Sequence, residues 1–205
     1  MGVQGMFITF EGGEGSGKST QMKLAGEYLN DKGYETVMTR EPGGTLLSER
    51  IRELLLGGDV NGMVPKTELL LYLAARAQHV SDVIIPALDA GKIVLCDRFS
   101  DATAAYQGYA RGMGMDEVMR LNEWAADGLS PDLTFMFFLD VNSGLERETD
   151  RDRFHSEGEY FHRLVETGYR IIAKKAHKRV IPIEIDALDI SAVFARVRKT
   201  LDSKI

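Results

Sequence analysis

Cysteine is almost missing from this chain: one residue, Cys96, stands among 205. A lone thiol cannot build an intrachain disulfide framework, and such scarcity suits a reducing compartment. Long apolar runs are missing as well. The longest, such as 133–139, have the length of a strand, far below the ~18 residues of a membrane span. Positive charge is in deficit, with 25 Lys+Arg against 31 Asp+Glu and a net charge of -6. Binding to nucleic-acid polymers wants a basic surface, so that class is excluded, whereas a small anion held by a few convergent donors is not. The N-terminus has no basic segment leading into a long apolar one, so no signal peptide is expected and the cytoplasm is the expected location. Met6 stands where a myristoylation start needs Ser or Thr. What is present is an ordinary globular composition, 44% hydrophobic and 27% charged, of a length that suits one domain. Glycine alone is in excess, at 21 residues, which points to tight turns or to backbone approaching a ligand.

Four short apolar runs, 6–10, 92–96, 133–139 and 180–185, read as buried strands, and 35–39 is a weaker fifth. Each precedes a polar or Gly-containing turn and then a helical pattern. That alternation predicts right-handed βαβ crossovers and a parallel sheet. Helices are expected from Lys18 to Asp31 with Gly33 just past the end, over 45–56, from about 66 to 90, and over 116–127, 157–175 and 190–201. Pro86 has no N–H and its ring crowds the preceding turn, so it should kink or divide the long helix. Gly108, Gly112 and Gly114 read as a turn. Segment 146–155 interleaves acidic and basic residues. It fits either a solvated helix face laced with ion pairs or a mobile lid.

Residues Gly12-Gly13-Glu14-Gly15-Ser16-Gly17-Lys18-Ser19 match G-x-x-x-x-G-K-[ST], after a strand and at the start of a helix. A Gly-rich loop lets consecutive N–H groups converge on one anion. The helix N-terminus adds unpaired donors and the positive end of its dipole. Lys18 is placed to reach the β- and γ-phosphates of a nucleotide, and the Ser19 hydroxyl to bind Mg²⁺. The N/T-K-x-D pattern with which small GTPases read guanine is missing.

Strand 92–96 runs straight into Asp97-Arg98. Ligands of open α/β sheets bind outside the carboxyl ends of the strands. Asp97 is therefore where a Mg²⁺-associated carboxylate is needed, and the planar fork of Arg98 suits a bridge between two phosphates; the plainer alternative is a structural ion pair. Arg40, in the loop 39–45, is either a phosphate ligand or part of a Pro-Gly turn before a capped helix. Tyr72 and Arg76 are four residues apart on one helix face. They suit a nucleotide pocket, or else a core aromatic beside a surface arginine.

Taken together, these segments resemble the thymidylate kinase family, of the bacterial type with arginines in its lid. The resemblance covers nearly the whole chain and rests on residues 7–20, 39–45, 68–79, 97–99 and 105–112, with Pro131-Asp132-Leu133 leading into the fourth strand. It implies an α/β, three-layer P-loop nucleoside monophosphate kinase fold, with a central five-stranded parallel sheet and helices on both faces. It further implies a single domain over 1–205 with a lid at about 143–157. The implied activity is transfer of the γ-phosphoryl of ATP to dTMP with Mg²⁺, giving dTDP on the way to dTTP. The implied partners are these two nucleotides and a second copy in a homodimer through helices 66–90 and 116–127, with no nucleic-acid polymer and no membrane.

The resemblance also assigns residues. Gly12 to Ser19 with Thr20 hold ATP. Lys18 and Arg98 are catalytic, and Ser19, Asp97 and Glu41 are the metal oxygens. Glu14 lies by the sugar 3′-hydroxyl. Arg40, Glu41, Pro42, Arg52 and Arg98 surround the acceptor phosphate. Tyr72 stacks on the base, Arg76 reads its edge, Thr103 and Gln107 lie beside it, and Tyr106 crowds a ribose 2′-hydroxyl. The variable P-loop positions Gly13, Glu14, Gly15 and Ser16 carry no basic side chain, so the lid should supply the transition-state arginine: Arg153, or Arg151, with Arg147 near adenine. Two departures are Tyr72, where Phe is common in the family, and Ala102, where Ser is common. Two other readings remain: a kinase for dUMP or an unusual base, and a nucleotide-hydrolysing switch protein.

Overall fold

The computed structural model describes residues 5–57, 62–148 and 153–205. Five strands run parallel: β1 (Met6–Gly12), β2 (Thr36–Arg40), β3 (Ile93–Asp97), β4 (Leu133–Phe138) and β5 (Val180–Glu184). Their order is β2-β3-β1-β4-β5. The helices are α1 (Lys18–Asp31), α2 (Leu46–Leu56), α3 (Pro65–His79), α4 (Ile85–Asp89), α5 (Ser100–Thr103), α6 (Met115–Ala125), α7 (Val141–Arg147), α8 (Gly158–Lys175) and α9 (Ile190–Lys204).

The inner strands are apolar without alternation because both sheet faces are covered. Successive side chains point to opposite faces. Ile8, Phe10, Ile93, Leu95, Phe135 and Phe137 pack on Ala25 and Leu29 of α1 and on Val193, Val197 and Leu201 of α9. On the other face Phe7, Val94 and Cys96 meet Val80 and Ile84. There too Met136 and Phe138 meet Phe161, Val165, Tyr169 and Ile172 of α8.

Pro86 divides the long helix as expected. Five residues of π-helix, Val80–Ile84, separate α3 from α4. The wider turn absorbs the hydrogen bond that proline cannot donate. That helix starts earlier than Lys66, with Pro65 in its first turn, a position where the missing N–H costs nothing. Two helical segments were not expected. α7 is one; the other is α5 with its continuation in wide turns, Ala104–Ala110. Gly108 is therefore helical, not part of a turn. Its bare Cα allows α6 to approach, since an added Cβ would lie 3.1 Å from the Cα of Met115.

Register brings the chemistry to one edge. Asp97 is level with Phe10 on one side and with Arg40 on the other. The Glu41 N–H donates to the Asp97 carbonyl (2.9 Å) and the Arg98 N–H to the Phe10 carbonyl (3.0 Å). The Gly-rich loop, Asp97-Arg98 and Arg40-Glu41 thus leave the sheet side by side at its carboxyl end.

Candidate active site

A cleft of about 210 Å³ opens at that edge. Its wall includes Lys18, Ser19 and Asp97. It also includes every residue expected around the acceptor nucleotide: Glu14, Arg40, Glu41, Pro42, Arg52, Tyr72, Arg76, Arg98, Thr103, Tyr106 and Gln107. Leu56, Phe99, Ala102, Glu148 and Phe154 complete the lining; none of these was assigned a role from the sequence.

The Gly-rich loop is closed by its own polar groups. The Ser16 hydroxyl donates to the Gly13 carbonyl (2.8 Å), and Lys18 Nζ donates to the same carbonyl (2.6 Å) and to Ser16 Oγ (3.3 Å). Gly15 has φ +62°, and any Cβ there would collide with the carbonyl oxygen of Gly144 in α7. Burial lowers the Lys18 pKa, and Arg98 lowers it further. At the mouth of the loop Ser19 Oγ donates to Asp97 Oδ2 at 2.5 Å. Mg²⁺ takes few protein oxygens and completes its shell with phosphates and water. This adjacent pair of hard oxygens fits such an ion. Among the described residues no group of three or more His, Cys, Asp or Glu makes a self-sufficient metal cage.

Arg98 is the hub between the loop and the acceptor side. Its backbone sits at φ +66°, a left-handed conformation that is uncommon for a side chain of this size and is found where function holds a residue in place. Its Nη1 donates to the Gly12 carbonyl (2.9 Å) and the Tyr169 hydroxyl (3.1 Å), and its Nη2 to Glu14 (2.9 Å). Its guanidinium lies over the Tyr106 ring, 5.3 Å from the centroid. Glu11, 0% exposed, takes the Phe99 N–H (2.7 Å) and the Tyr169 hydroxyl (3.0 Å). Burial first, then Asp101, pushes the Glu11 carboxyl up to about 8. Its only sequence signal was an acid in an apolar strand.

Glu14 shows the opposite balance. Burial by itself would raise it, but Arg98 and then Lys18 outweigh burial and hold the carboxyl at about 2, below its ordinary 4.5. The Tyr106 hydroxyl donates to it (2.8 Å). An acid favoured as carboxylate in the fold adds stability above its unfolded pKa and loses it as pH falls through the folded one. Glu14→Gln should therefore lower the thermal midpoint at pH 7 by roughly 5 °C. The difference from wild type should shrink between about pH 4.5 and about pH 2; thermal melts against pH check both.

Among the described residues Arg76 is the largest fully buried side chain, 1% exposed. Nε donates to Glu41 Oε2 (2.8 Å), in an ion pair that brings Nη2 within 2.7 Å of the same oxygen; Nη2 donates to Thr103 Oγ1 (3.0 Å) and Nη1 to Asn122. The guanidinium stacks over Phe99 at 4.9 Å. The bland reading of Arg76 as a surface residue fails. The other Glu41 oxygen pairs with His79 Nδ1 (3.0 Å). Both oxygens are thus engaged, one by Arg76 and one by His79, and the carboxylate orients Arg76. Arg40 reaches Glu49 (2.8 Å) in an exposed ion pair, a weak tie. Arg52 donates to the Pro42 carbonyl (3.0 Å).

The lid arginines differ in placement. Arg153 donates to the Leu55 carbonyl (3.0 Å) and to Glu68 Oε2 (2.6 Å), and lies over Phe154 at 4.7 Å. Glu68 is 1% exposed, and a buried carboxylate needs such cations. That contact ties Arg153 to α3. Arg147 is exposed at the end of α7. Arg151 lies outside the described residues.

A phosphate cradle and an arginine-lined acceptor pocket, joined over one edge of a parallel sheet, are the working parts of a P-loop nucleoside monophosphate kinase. Residues 10–195 match the family model described as thymidylate kinase. A thymidylate kinase of Pelobacter propionicus is 53% identical over 189 residues, covering 88% of this chain and 86% of that protein. One of an Exiguobacterium species is 50% identical over 187 residues, covering 90% and 88%. The crystal structure of thymidylate kinase from Ehrlichia chaffeensis matches with a TM-score of 0.80 at 40% identity, covering 97% of this chain and 98% of that one. The chain belongs to the thymidylate kinase family.

Proposed function

We propose that this chain transfers the γ-phosphoryl of ATP to the 5′-phosphate of dTMP with Mg²⁺, producing dTDP in the cytoplasm. The observation that carries this is the single cleft shared by Lys18 and Ser19 with Arg98, Arg76 and Tyr106. The loop N–H groups and Lys18 hold the donor phosphates. Arg98, with Arg40 and Arg52, holds the acceptor phosphate. That phosphate is already largely anionic near neutral pH, its second pKa being ~6 for phosphate esters, so the cleft needs no general base to create the nucleophile. Positioning and charge stabilisation do the rest. Ser19 and Asp97 would hold Mg²⁺, which when bound neutralises developing phosphate charge. Tyr72 stacks on the base, Arg76 and Thr103 lie at its edge, and Tyr106 with Glu14 closes around the sugar.

An assay of ADP release with a panel of nucleoside monophosphates tests the reading. dTMP should be the best acceptor. dUMP, lacking one methyl, should be weaker by roughly 10–200-fold. Slow hydrolysis indifferent to the added monophosphate would instead indicate a switch protein.

The lid spans about 143–157 and supplies Arg151 to the transition state. Arg151→Ala should lower kcat by roughly 10³-fold, the lower end of such arginine effects, with little change in the dTMP KM. Arg153→Ala should chiefly lower stability, because it strips a cation from buried Glu68. The reverse pattern in kinetics and melts would assign the catalytic role to Arg153 instead.

The functional unit is a homodimer. Leu47 and Leu54 of α2, Leu70 of α3 and Met119 and Trp124 of α6 are exposed, Trp124 by 78%, and burying such surface against a second copy is favourable. Light scattering should give twice the subunit mass; one subunit mass would reject it.

A further inference from the structure

Glu68, in the first turn of α3, belongs to no part of the phosphate chemistry, yet it is 1% exposed and gathers three side chains. Its Oε1 accepts from Gln107 Nε2 (2.7 Å) and Arg111 Nε (3.3 Å). Its Oε2 accepts from Arg111 Nη2 (3.2 Å) and Arg153 Nη2 (2.6 Å). A carboxylate set among guanidinium groups only accepts hydrogen bonds. The edge of the Gln107 amide that faces Glu68 must therefore be its NH₂, and the usual ambiguity between the two ends of an amide disappears. Gln107 is itself buried and lines the cleft beside Tyr72 and Thr103. The acceptor that this orientation leaves for a ligand is its carbonyl oxygen.

We propose that Glu68 is a specificity-determining residue: by locking the Gln107 amide with its carbonyl toward the cleft, it selects a pyrimidine whose N3 carries a hydrogen. Thymine and uracil have that N3–H. Cytosine has a lone pair at N3, which would face the Gln107 carbonyl and leave both acceptors unpaired. This inference rests on the assignment of the cleft to dTMP. An acceptor that cannot turn over discriminates strongly, because the wrong partner leaves buried polar atoms without bonds. An amide free to turn over would satisfy either base and discriminate little.

The test compares kcat/KM for dTMP and dCMP in the full chain. Glu68→Gln offers a donor as well as an acceptor edge, so Gln107 gains its second orientation. The dTMP-to-dCMP ratio should fall roughly tenfold or more, mainly through KM, whereas Glu68→Asp should hold it within about threefold. A purely structural role would lower kcat for both substrates in proportion, and an unchanged ratio in Glu68→Gln overturns this inference alone. If wild type does not use dTMP, the underlying assignment falls and this one with it. Should Glu68→Gln not fold, the unaltered ¹⁵N-labelled chain decides. The Gln107 side-chain NH₂ should remain protected from solvent exchange with and without dTMP, and its release when dTMP binds overturns the proposal.

Discussion

Lys18→Ala is expected to lower kcat/KM for phosphoryl transfer by roughly 10³-fold or more, the loss that follows removal of a preorganised charge from a water-poor site. Lys18 is 7% exposed and opens α1 directly behind the Gly-rich loop. Its Nζ lies on the Gly13 carbonyl and the Ser16 hydroxyl, so the ammonium is held against the Gly-rich loop. Burial and the nearby Arg98 both work against its charge. The fold thus bears a cost to keep a cation there, and alanine relieves it. Thermal stability should consequently be retained or slightly raised while transfer is lost. ADP release with dTMP and a thermal melt on the same sample check both halves. Transfer within tenfold of wild type would remove the loop from the mechanism.

Arg76→Ala is expected to act on the acceptor and on the fold together. The dTMP KM should rise by roughly 10²-fold or more, because a site built on a buried guanidinium loses a donor and leaves acceptors unpaired. The ATP KM should change little. Stability should drop by about 3–5 kcal/mol, the cost of breaking one side of a buried ion pair. Glu41 would keep only His79, and Asn122 and Thr103 would each lose a donor. The paired change Arg76→Met with Glu41→Gln separates the two effects. It should recover much of the stability, because no carboxylate is stranded, and none of the dTMP affinity. Recovery of dTMP binding in that pair would show that Arg76 serves only to neutralise Glu41.

Much of the architecture was legible because it rests on local rules. The apolar strands, the Thr45 cap that accepts from the Ser48 N–H, the positive-φ Gly33 after α1 and the break at Pro86 each follow from a few neighbouring residues. The segment Ala104–Ala110 was not legible in this way. Its Gly108 carries the signal of a turn, and only contact with α6 explains it. The same limit separates the site residues. Lys18, Ser19 and Asp97 sit at strand and helix ends, where backbone geometry dictates chemistry. Arg76 lies in an apolar helical stretch and Arg153 in a charged segment, and neither setting names its partner. Glu41 and Asn122 hold the first buried in the cleft wall, and Glu68 ties down the second.

The sequence by itself determined that a phosphate cradle stands between an apolar strand and a helix, that the sheet is parallel, and that a net charge of -6 leaves nucleotide attraction to a few arginines. Those features are short-range, set by the spacing of glycines, caps and apolar residues. Only the tertiary structure decided which way each buried polar group faces. Glu41 is turned to Arg76 and His79, Gln107 presents its NH₂ to Glu68, and Glu14 stays ionised against Arg98. Buried hydrogen-bonding groups must find partners, and those partners lie tens of residues away, at distances along the chain that no local pattern encodes.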